Sequence, residues 1–198
     1  MTTTVFLVRH GVHDQLQGRL CGRSAGVLLG DAGLAQADAA GRRLAGAGVE
    51  VVQTSPLERT RQTAERIAHL CGAPLQIEEA LMEIDFGDWN GRTFASLELE
   101  PLWRAWNSQR DTARPPSGET MQEVQARLAA WLDRLVASGL RSVAAVSHAD
   151  VIKAAVGLAT GLSMRSHDRF EISPGSITTL VAGDGFLKLQ SLNECAHV

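Results

Sequence analysis

Cysteine is scarce in this chain, and its few cysteines form no recognisable pattern. Three of the 198 residues are cysteines: Cys21, Cys71 and Cys195. An odd number of cysteines without metal-ligand spacing argues against a disulfide framework and against a zinc site. We therefore expect reduced thiols that serve as packing or surface residues.

Long apolar runs are also absent. Only four apolar residues separate Thr4 from Arg9, which is too few for the core of a signal peptide, and no later run approaches the length of a membrane span. A composition of 44% hydrophobic and 21% charged residues is typical of a globular domain with a sizeable core. We expect a cytoplasmic protein that forms a single domain over residues 1–198 and does not bind membranes.

The chain has no large excess of charge of either sign. Its formal net charge is −3 at pH 7, which gives no general reason to expect a nucleic acid or an anionic membrane as a partner. Any site for an anion must therefore be built locally.

Buried strands alternate with amphipathic helices along the chain. Strand, helix, strand is the βαβ unit of a parallel sheet, so this order predicts an α/β fold with a mostly parallel central sheet. The expected strands are 5–8, 49–54, 75–77, 142–147, 177–182 and 186–192, the last two as a closing hairpin, and the expected helices are 31–45, 55–70, 94–107, 120–136 and 151–160. Asp31 is the expected N-cap of the first helix. Residues from about 92 to 116 form a helical insertion.

The start of the second helix has a particularly clear signature. Ser55 at the N-cap, Pro56 at the first helical position and Glu58 three residues after the serine predict a capping box. The free amides of such a helix start suit an anion. Arg59, one turn into the helix, can point toward the same strand ends.

Reactive side chains follow two of the predicted strands. The run Val5–Val8 ends in Arg9 and His10, and the strand 142–147 ends in His148. In a parallel sheet these ends meet at one edge, so the two histidines can line one crevice with Arg59. Two arginines, two histidines and a helix start predict a phosphate or sulfate site.

Few side chains could act as a nucleophile there. No serine lies in a G-x-S-x-G elbow and no cysteine follows a strand. The imidazole of His10 can attack phosphorus when it is neutral, and the neighbouring arginines would lower its pKa by charge repulsion. In the loop 81–91, where Phe86 and Trp89 anchor the chain, one of Glu83, Asp85 and Asp88 could protonate a leaving alkoxide.

Five spaced motifs resemble those of the histidine phosphatase superfamily, which includes phosphoglycerate mutases and alpha-ribazole phosphatase. They are Arg9-His10-Gly11, Ser55–Thr60 with Thr63, Glu83 ahead of Phe86–Gly91, Ser117–Thr120 and Ser147-His148-Ala149. The resemblance implies a three-layer α/β/α sandwich that needs no metal or other cofactor. It also implies that His10 is phosphorylated, that Arg9, Arg59 and His148 hold the phosphoryl group, and that Glu83 donates a proton and later activates water.

The chain departs from the family pattern at the expected rim of the phosphate site. His13 and Leu16 stand where threonine and asparagine are usual, and Ala149 stands where many members have glycine. His13 and Arg19 lie in a long polar loop that is expected to line the substrate pocket, with the backbone amide of Ala149 still free to bind. The rim contacts, and with them the substrate preference, are therefore the least determined part of the site.

The resemblance favours a phosphomonoesterase that acts on a small phosphorylated metabolite. Mutases of this family carry a longer insertion with paired arginines, and no such pair lies between Trp89 and Pro116. A cofactor-dependent phosphoglycerate mutase is the alternative enzyme, and a catalytically silent phospholigand-binding module is the alternative from another class. The tryptophans of the insertion, Trp103 and Trp106, are interpreted as exposed and make it a candidate surface for a homodimer.

Overall fold

In the computed structural model, residues 2–15 and 18–195 are described, and their strands form one mixed sheet. The strands are β1 (Thr2–Arg9), β2 (Val51–Thr54), β3 (Leu75–Ile77), β4 (Ser142–Ser147), β5 (Ile177–Gly183) and β6 (Phe186–Glu194). The helices are α1 (Asp31–Leu44), α2 (Glu58–Cys71), α3 (Phe94–Leu97), α4 (Pro101–Ser108), α5 (Met121–Ser138) and α6 (Ala149–Thr160). Within these two stretches of chain, every helix is too short or too polar to cross a bilayer.

The sheet is mostly parallel, as the sequence predicts. Its strand order is β3-β2-β4-β1-β5-β6. The neighbours among β3, β2, β4 and β1 pair in parallel, whereas β5 is antiparallel to both β1 and β6. The predicted closing hairpin is confirmed as β5 and β6.

Helices cover both faces of the sheet and enclose two cores. Successive residues of a strand point to opposite faces, and on β1 Leu7 belongs to one core and Val8 to the other. The core around Val8 contains Leu44 of α1 and Ile67 of α2, and the other contains residues of α5, α6 and the insertion. The predicted three-layer α/β/α sandwich is confirmed.

Two of the predicted helix starts are wrong. Gly30, not Asp31, is the N-cap of α1. The second helix begins at Glu58 with Leu57 as its N-cap, and no side chain caps it. Ser55 lies within hydrogen-bond distance of His148 instead, and the carboxylate of Glu58 accepts a hydrogen bond from the amide of Gly26. Both potential capping groups are therefore used by tertiary contacts.

The tryptophan-bearing insertion faces inward, which corrects the interpretation of its tryptophans as exposed. Trp103 is 6% exposed and Trp106 is fully buried. The ring of Trp103 packs edge to face on Trp89, with 5.3 Å between ring centroids. Because these side chains belong to the core, they offer no surface for a homodimer.

A capping box does form at the start of α5. The hydroxyl of Thr120 accepts a hydrogen bond from the amide of Glu123 at 3.2 Å, and the carboxylate of Glu123 accepts one from the amide of Thr120 at 2.8 Å.

Removing the hydroxyl of Thr120 leaves one amide of the first turn of α5 without its partner. Thr120→Ala should therefore lower the free energy of unfolding by about 1 kcal/mol, measured by urea denaturation. Thr112→Ala, at an exposed position, is the control and should leave the stability unchanged; an equal loss in both variants would contradict the role of the cap.

Candidate active site

The register of the parallel strands brings the predicted site residues to one edge of the sheet. Arg9 pairs with Ser147 across β1 and β4, and the amide of His10 donates to the carbonyl of Ser147 at 3.0 Å. On the other side of β4, the amide of Ser55 donates to the carbonyl of Val146 at 3.0 Å. The ladders thus continue one residue beyond the strands, which places His10, His148 and the segment leading to Arg59 side by side.

A close backbone crossing holds the segment after His10 in place. A Cβ atom added to Gly11 would lie 2.3 Å from the carbonyl oxygen of Gly33 at the start of α1. The amide of Gly11 donates to the hydroxyl of Thr63 on α2 at 3.2 Å. Only glycine fits this crossing without displacing backbone, which accounts physically for the glycine of the Arg-His-Gly motif.

The imidazole of His10 is buried and presents one particular nitrogen to the cleft. Its Nδ1 lies 2.8 Å from the carbonyl oxygen of Gly11. A carbonyl only accepts hydrogen bonds, so Nδ1 carries the proton and Nε2 keeps its lone pair. Burial, and then the guanidinium groups of Arg59 and Arg9, hold the pKa of His10 well below its ordinary value. The ring is therefore neutral at neutral pH.

Arg59 is a buried cation with unused hydrogen-bond donors. Its side chain is 1% exposed. Nη2 donates to the carbonyl of Gly22 at 2.7 Å and lies 3.2 Å from Nδ1 of His148, whereas Nε and Nη1 have no partner among the described residues. Arg9 is similar, since Nη1 donates to the carbonyl of Ile172 and Nε has no partner in the same part of the chain.

His148 lies between Arg59 and the residue that was expected to cap α2. Since a guanidinium only donates, Nδ1 of His148 accepts from Arg59, and Nε2–H donates to the hydroxyl oxygen of Ser55 at 2.9 Å. Its ring centroid is 5.3 Å from that of His10. Burial and the charge of Arg59 keep the pKa of His148 well below its ordinary value.

The carboxyl group of Glu83 completes the group of ionisable side chains. Its Oε2 lies 3.8 Å from Nδ1 of His148, and its Oε1 accepts a hydrogen bond from the amide of Ile84 at 3.0 Å. Burial and the nearby carboxylate of Asp150 raise the pKa of Glu83 to about 7, against the opposing effect of Arg59. A carboxyl group with this pKa can act both as an acid and as a base near neutrality.

These groups line a cleft of about 170 Å³ at the carboxyl ends of β1 and β4. Its lining includes all the expected site residues except the deeper His148: Arg9, His10, His13, Arg19, Arg59, Glu83 and Ala149, together with Leu20, Cys21, Gly22, Phe86, Phe94 and Asp150. His13 stacks on His10 with 5.4 Å between ring centroids. Of the rim positions, Leu16 lies outside the described residues.

The start of α6 lines this cleft as well, a helix start that the sequence-based expectation for the second helix did not include. Ala149 and Asp150 line the cleft, whereas Arg59 is the only residue of α2 that does so among those described. Ala149 is the first residue of α6, so its amide is among those that no helical carbonyl can accept. An anion in the cleft would therefore meet the positive end of α6.

One charged pair at the site was not anticipated from the sequence. Asp150 binds Arg110, a residue of the insertion that is 8% exposed and packs over the ring of Trp106. Asp150 directly follows the His148-Ala149 motif in the sequence, and this position could have marked it as a residue of the site. The pair ties the insertion to the cleft and places a carboxylate near Glu83.

The fold is a three-layer α/β sandwich whose cationic cleft suits an anion such as phosphate, and comparison with known proteins gives the family. The model of the histidine phosphatase superfamily, branch 1, matches residues 5–195. The chain belongs to this superfamily.

Relatives within the superfamily include phosphatases and mutases. The adenosylcobalamin/alpha-ribazole phosphatase of Salmonella typhimurium is 29% identical over 195 residues, which cover 97% of this chain and 96% of that protein. A probable phosphoglycerate mutase of Salmonella paratyphi B is 34% identical over 184 residues, which cover 89% of this chain and 83% of that protein. The chain spans only 55% of the length of mycobacterial relatives that are 31% identical to it.

A solved structure supports the likeness in three dimensions. The mycobacterial glucosyl-3-phosphoglycerate phosphatase in complex with inorganic phosphate superimposes with a TM-score of 0.83 at 27% identity, over 99% of both chains. The fold is therefore that of known phosphatases of this superfamily.

The unused donors of Arg59 predict that phosphate binding depends on this residue. Inorganic phosphate at about 100 times its Kd should stabilise the protein by about 2.7 kcal/mol, and Arg59→Met should abolish the corresponding rise in Tm. Arg61→Met is the matched control, because Arg61 lies on the same helix with its side chain 52% exposed, and it should keep the full rise. An unchanged rise in Arg59→Met would contradict the assignment of the anion site.

Proposed function

We propose that this protein is a phosphomonoesterase that acts on a small phosphorylated metabolite through a phosphohistidine at His10. The observation that carries the proposal is the buried guanidinium of Arg59, which has no carboxylate within 4.0 Å among the described residues and keeps two donors unpaired. A buried charge without a partner is strongly unfavourable. A phosphoryl dianion in the cleft would supply both the missing charge and the missing acceptors.

The first step uses the neutral forms of His10 and Glu83. The lone pair on Nε2 of His10 attacks phosphorus, and the P–O bond to the alcohol breaks with its electron pair going to the leaving oxygen. The protonated carboxyl group of Glu83 gives its proton to that oxygen, so an alcohol leaves. Arg9, Arg59 and the amide of Ala149 bind the phosphoryl oxygens, and the positive charge of the two arginines stabilises the transition state. The neutral ring of His148 lies deeper and helps to hold the phosphoryl group by positioning Nη2 of Arg59.

The second step regenerates the enzyme with the same residues. The carboxylate of Glu83 takes a proton from water, whose oxygen attacks phosphorus. The P–N bond breaks and its electron pair returns to Nε2 of His10, which releases inorganic phosphate. No second acid–base residue is required, because Glu83 gives up one proton in the first step and recovers one from water in the second.

The dimensions of the cleft support a small substrate. A volume of about 170 Å³ is below the range of about 300–1,000 Å³ that is usual for drug-sized ligands. Leu20, Phe86 and Phe94 contribute apolar walls to the cleft, which Arg19 also lines. His13 is buried, 5% exposed, and its ring stacks on that of His10. We infer that the alcohol part of the substrate is compact and that these residues select it.

The proposal predicts a covalent intermediate on His10. Incubation with a radiolabelled phosphomonoester followed by rapid quenching should trap a protein-bound label that survives alkali and is lost in acid. His10→Ala should lose the label and at least about 10³-fold in kcat, because nucleophilic catalysis then disappears. His69→Ala, at an exposed position of α2, is the control and should keep both.

The same experiment distinguishes the alternatives. Transfer of the label to a second phosphoglycerate, with a requirement for a bisphosphoglycerate primer, would replace the phosphatase by the mutase, which the mutase-like relative makes the second candidate. Phosphate binding without hydrolysis of any monoester would indicate a silent binding module. Undiminished turnover in His10→Ala would contradict the proposal altogether.

The rate should depend on pH in a direction set by Glu83. Because Glu83 must be protonated in the first step and its pKa is raised to about 7, kcat/KM should fall above about pH 7. Asp150→Asn removes the negative charge that helps to raise the pKa of Glu83, and it leaves the positive charge of Arg110 uncompensated. Both changes lower this pKa, so the fall of kcat/KM on the basic side of the pH profile should move to lower pH. Asp184→Asn, at the exposed turn between β5 and β6, should not move it. A basic limb that stays in place in Asp150→Asn, or that persists in Glu83→Gln, would contradict the role of Glu83.

A further inference from the structure

A network of one carboxylate and two arginines contacts the backbone of the segment that carries Glu83. The side chain of Glu119 is 15% exposed. Its Oε1 accepts from Nε of Arg127 at 2.9 Å, and its Oε2 accepts from Nη2 of Arg127 at 3.2 Å and from Nη2 of Arg23 at 3.1 Å. One carboxylate therefore joins an arginine of α5 to an arginine of the loop between β1 and α1.

Both arginines direct further donors at the backbone of the segment that carries Glu83. Arg127 donates to the carbonyl of Met82 at 2.7 Å and also to that of Ala80. Arg23 donates through Nε to the carbonyl of Glu83 itself at 2.7 Å. The network thus holds the peptide carbonyls immediately before and after the Cα atom of Glu83.

The backbone around Glu119 contacts the other end of the same segment. The amide of Glu119 donates to the carbonyl of Asp85 at 2.8 Å, and the amide of Asp85 donates to Oε2 of Glu119 at 3.3 Å. A Cβ atom on Gly118 would lie 2.4 Å from the carbonyl oxygen of Asp85. Glu119 therefore fixes the segment both before and after Glu83.

We propose that Glu119 is a positioning residue that, through Arg23 and Arg127, aims the carboxyl group of Glu83 at the leaving oxygen. The inference rests on the proposed function of Glu83 as the proton donor. Glu119 does not line the cleft, so it acts through the backbone of residues 80–85 and not on the substrate. Its counterparts in the network, Arg23 and Arg127, do not line the cleft either.

Glutamine at position 119 should loosen this arrangement without removing any group from the cleft. Its amide nitrogen cannot accept from the arginines, so one of the acceptor oxygens is lost together with the charge that Arg23 and Arg127 share. The loop can then relax, and Glu83 loses its alignment with the leaving oxygen. Misplacement of a catalytic group by about 1 Å can cost about 100-fold in rate.

The experiment compares two phosphomonoesters that differ in their need for an acid. An alkyl phosphate requires protonation of its leaving oxygen, whereas 2,4-dinitrophenyl phosphate releases a stable anion without it. Glu119→Gln should lower kcat/KM about 10-fold to 100-fold with the alkyl ester and leave kcat/KM with the dinitrophenyl ester nearly unchanged. The ratio kcat/KM reports the phosphorylation of His10 and not the later attack of water, in which Glu83 acts as a base for both esters. Glu83→Gln should show the same selectivity with a larger loss.

The controls separate positioning from general damage. Glu123→Gln, four residues further on, changes an exposed carboxylate that binds Arg114 and should alter neither substrate's kcat/KM. If Glu119→Gln does not fold, Arg23→Met tests the same network, since the side chain of Arg23 is 32% exposed and should tolerate replacement. That variant should also lose activity selectively with the alkyl ester.

The outcomes that overturn the inference differ from those that overturn the proposed function. Equal losses with both esters in Glu119→Gln and Arg23→Met would indicate a structural role, and no loss in either would show that Glu83 needs no such support. Both results would leave the role of Glu83 intact provided that Glu83→Gln discriminates between the esters. If Glu83→Gln does not discriminate, the proposed proton donor is wrong and the inference falls with it.

Discussion

Burial of ionisable groups at the strand ends is the constraint on which this site depends. Removal from water disfavours the charged form of any group, so it lowers the pKa of a histidine and raises that of a carboxyl group. Burial is the largest cause of both shifts here, downward at His10 and upward at Glu83. One physical effect thus favours a neutral imidazole and a protonated carboxyl group in the same cleft, which is the pair of forms that the proposed first step requires.

The arginines cannot respond to burial in the same way. A guanidinium stays charged in proteins, so Arg9 and Arg59 keep their charges in the same environment. The fold stabilises each with a backbone carbonyl, that of Ile172 for Arg9 and that of Gly22 for Arg59. A carbonyl satisfies a donor but does not neutralise the charge. The site therefore carries positive charge that a bound anion would neutralise. The packing of the two cores on either side of the sheet must supply the stability that offsets this unfavourable charge.

The features that follow from local pattern were predictable from the sequence. Buried apolar runs gave the positions of β1 and β4, and the polar residues at their ends gave His10 and His148, because parallel strands end at one edge. The start of α2 was not predictable in this way. The pattern around Ser55 favours a capping box, but its hydroxyl contacts His148, 93 residues away, and a local signal carries no information about such a partner.

The insertion and the Glu83 segment illustrate the same limit. Trp103 and Trp106 look like surface residues in a polar stretch, and only the packing of Trp89 against Trp103 shows that they face the core. Glu119 belongs to a recognisable motif, yet its hydrogen bonds to Arg23 and Arg127, together with theirs to Glu83 and Met82, join three distant parts of the chain. Sequence patterns therefore identified most of the chemical groups of the site, whereas the supports that aim them depend on contacts that no local pattern encodes.

The raised pKa of Glu83 also bears on the second half of the proposed cycle. Once Glu83 has given up its proton, it is a carboxylate in surroundings that favour the neutral form, and this makes it a stronger base than an exposed glutamate. In the proposed cycle, the water that follows the departing alcohol into the cleft would meet that base beside the phosphohistidine. The same burial that keeps the proton available for the leaving oxygen thus drives its recovery from water. With an ordinary glutamate at this position, a smaller fraction of the carboxyl groups would be protonated for the first step, and the carboxylate would be a weaker base in the second.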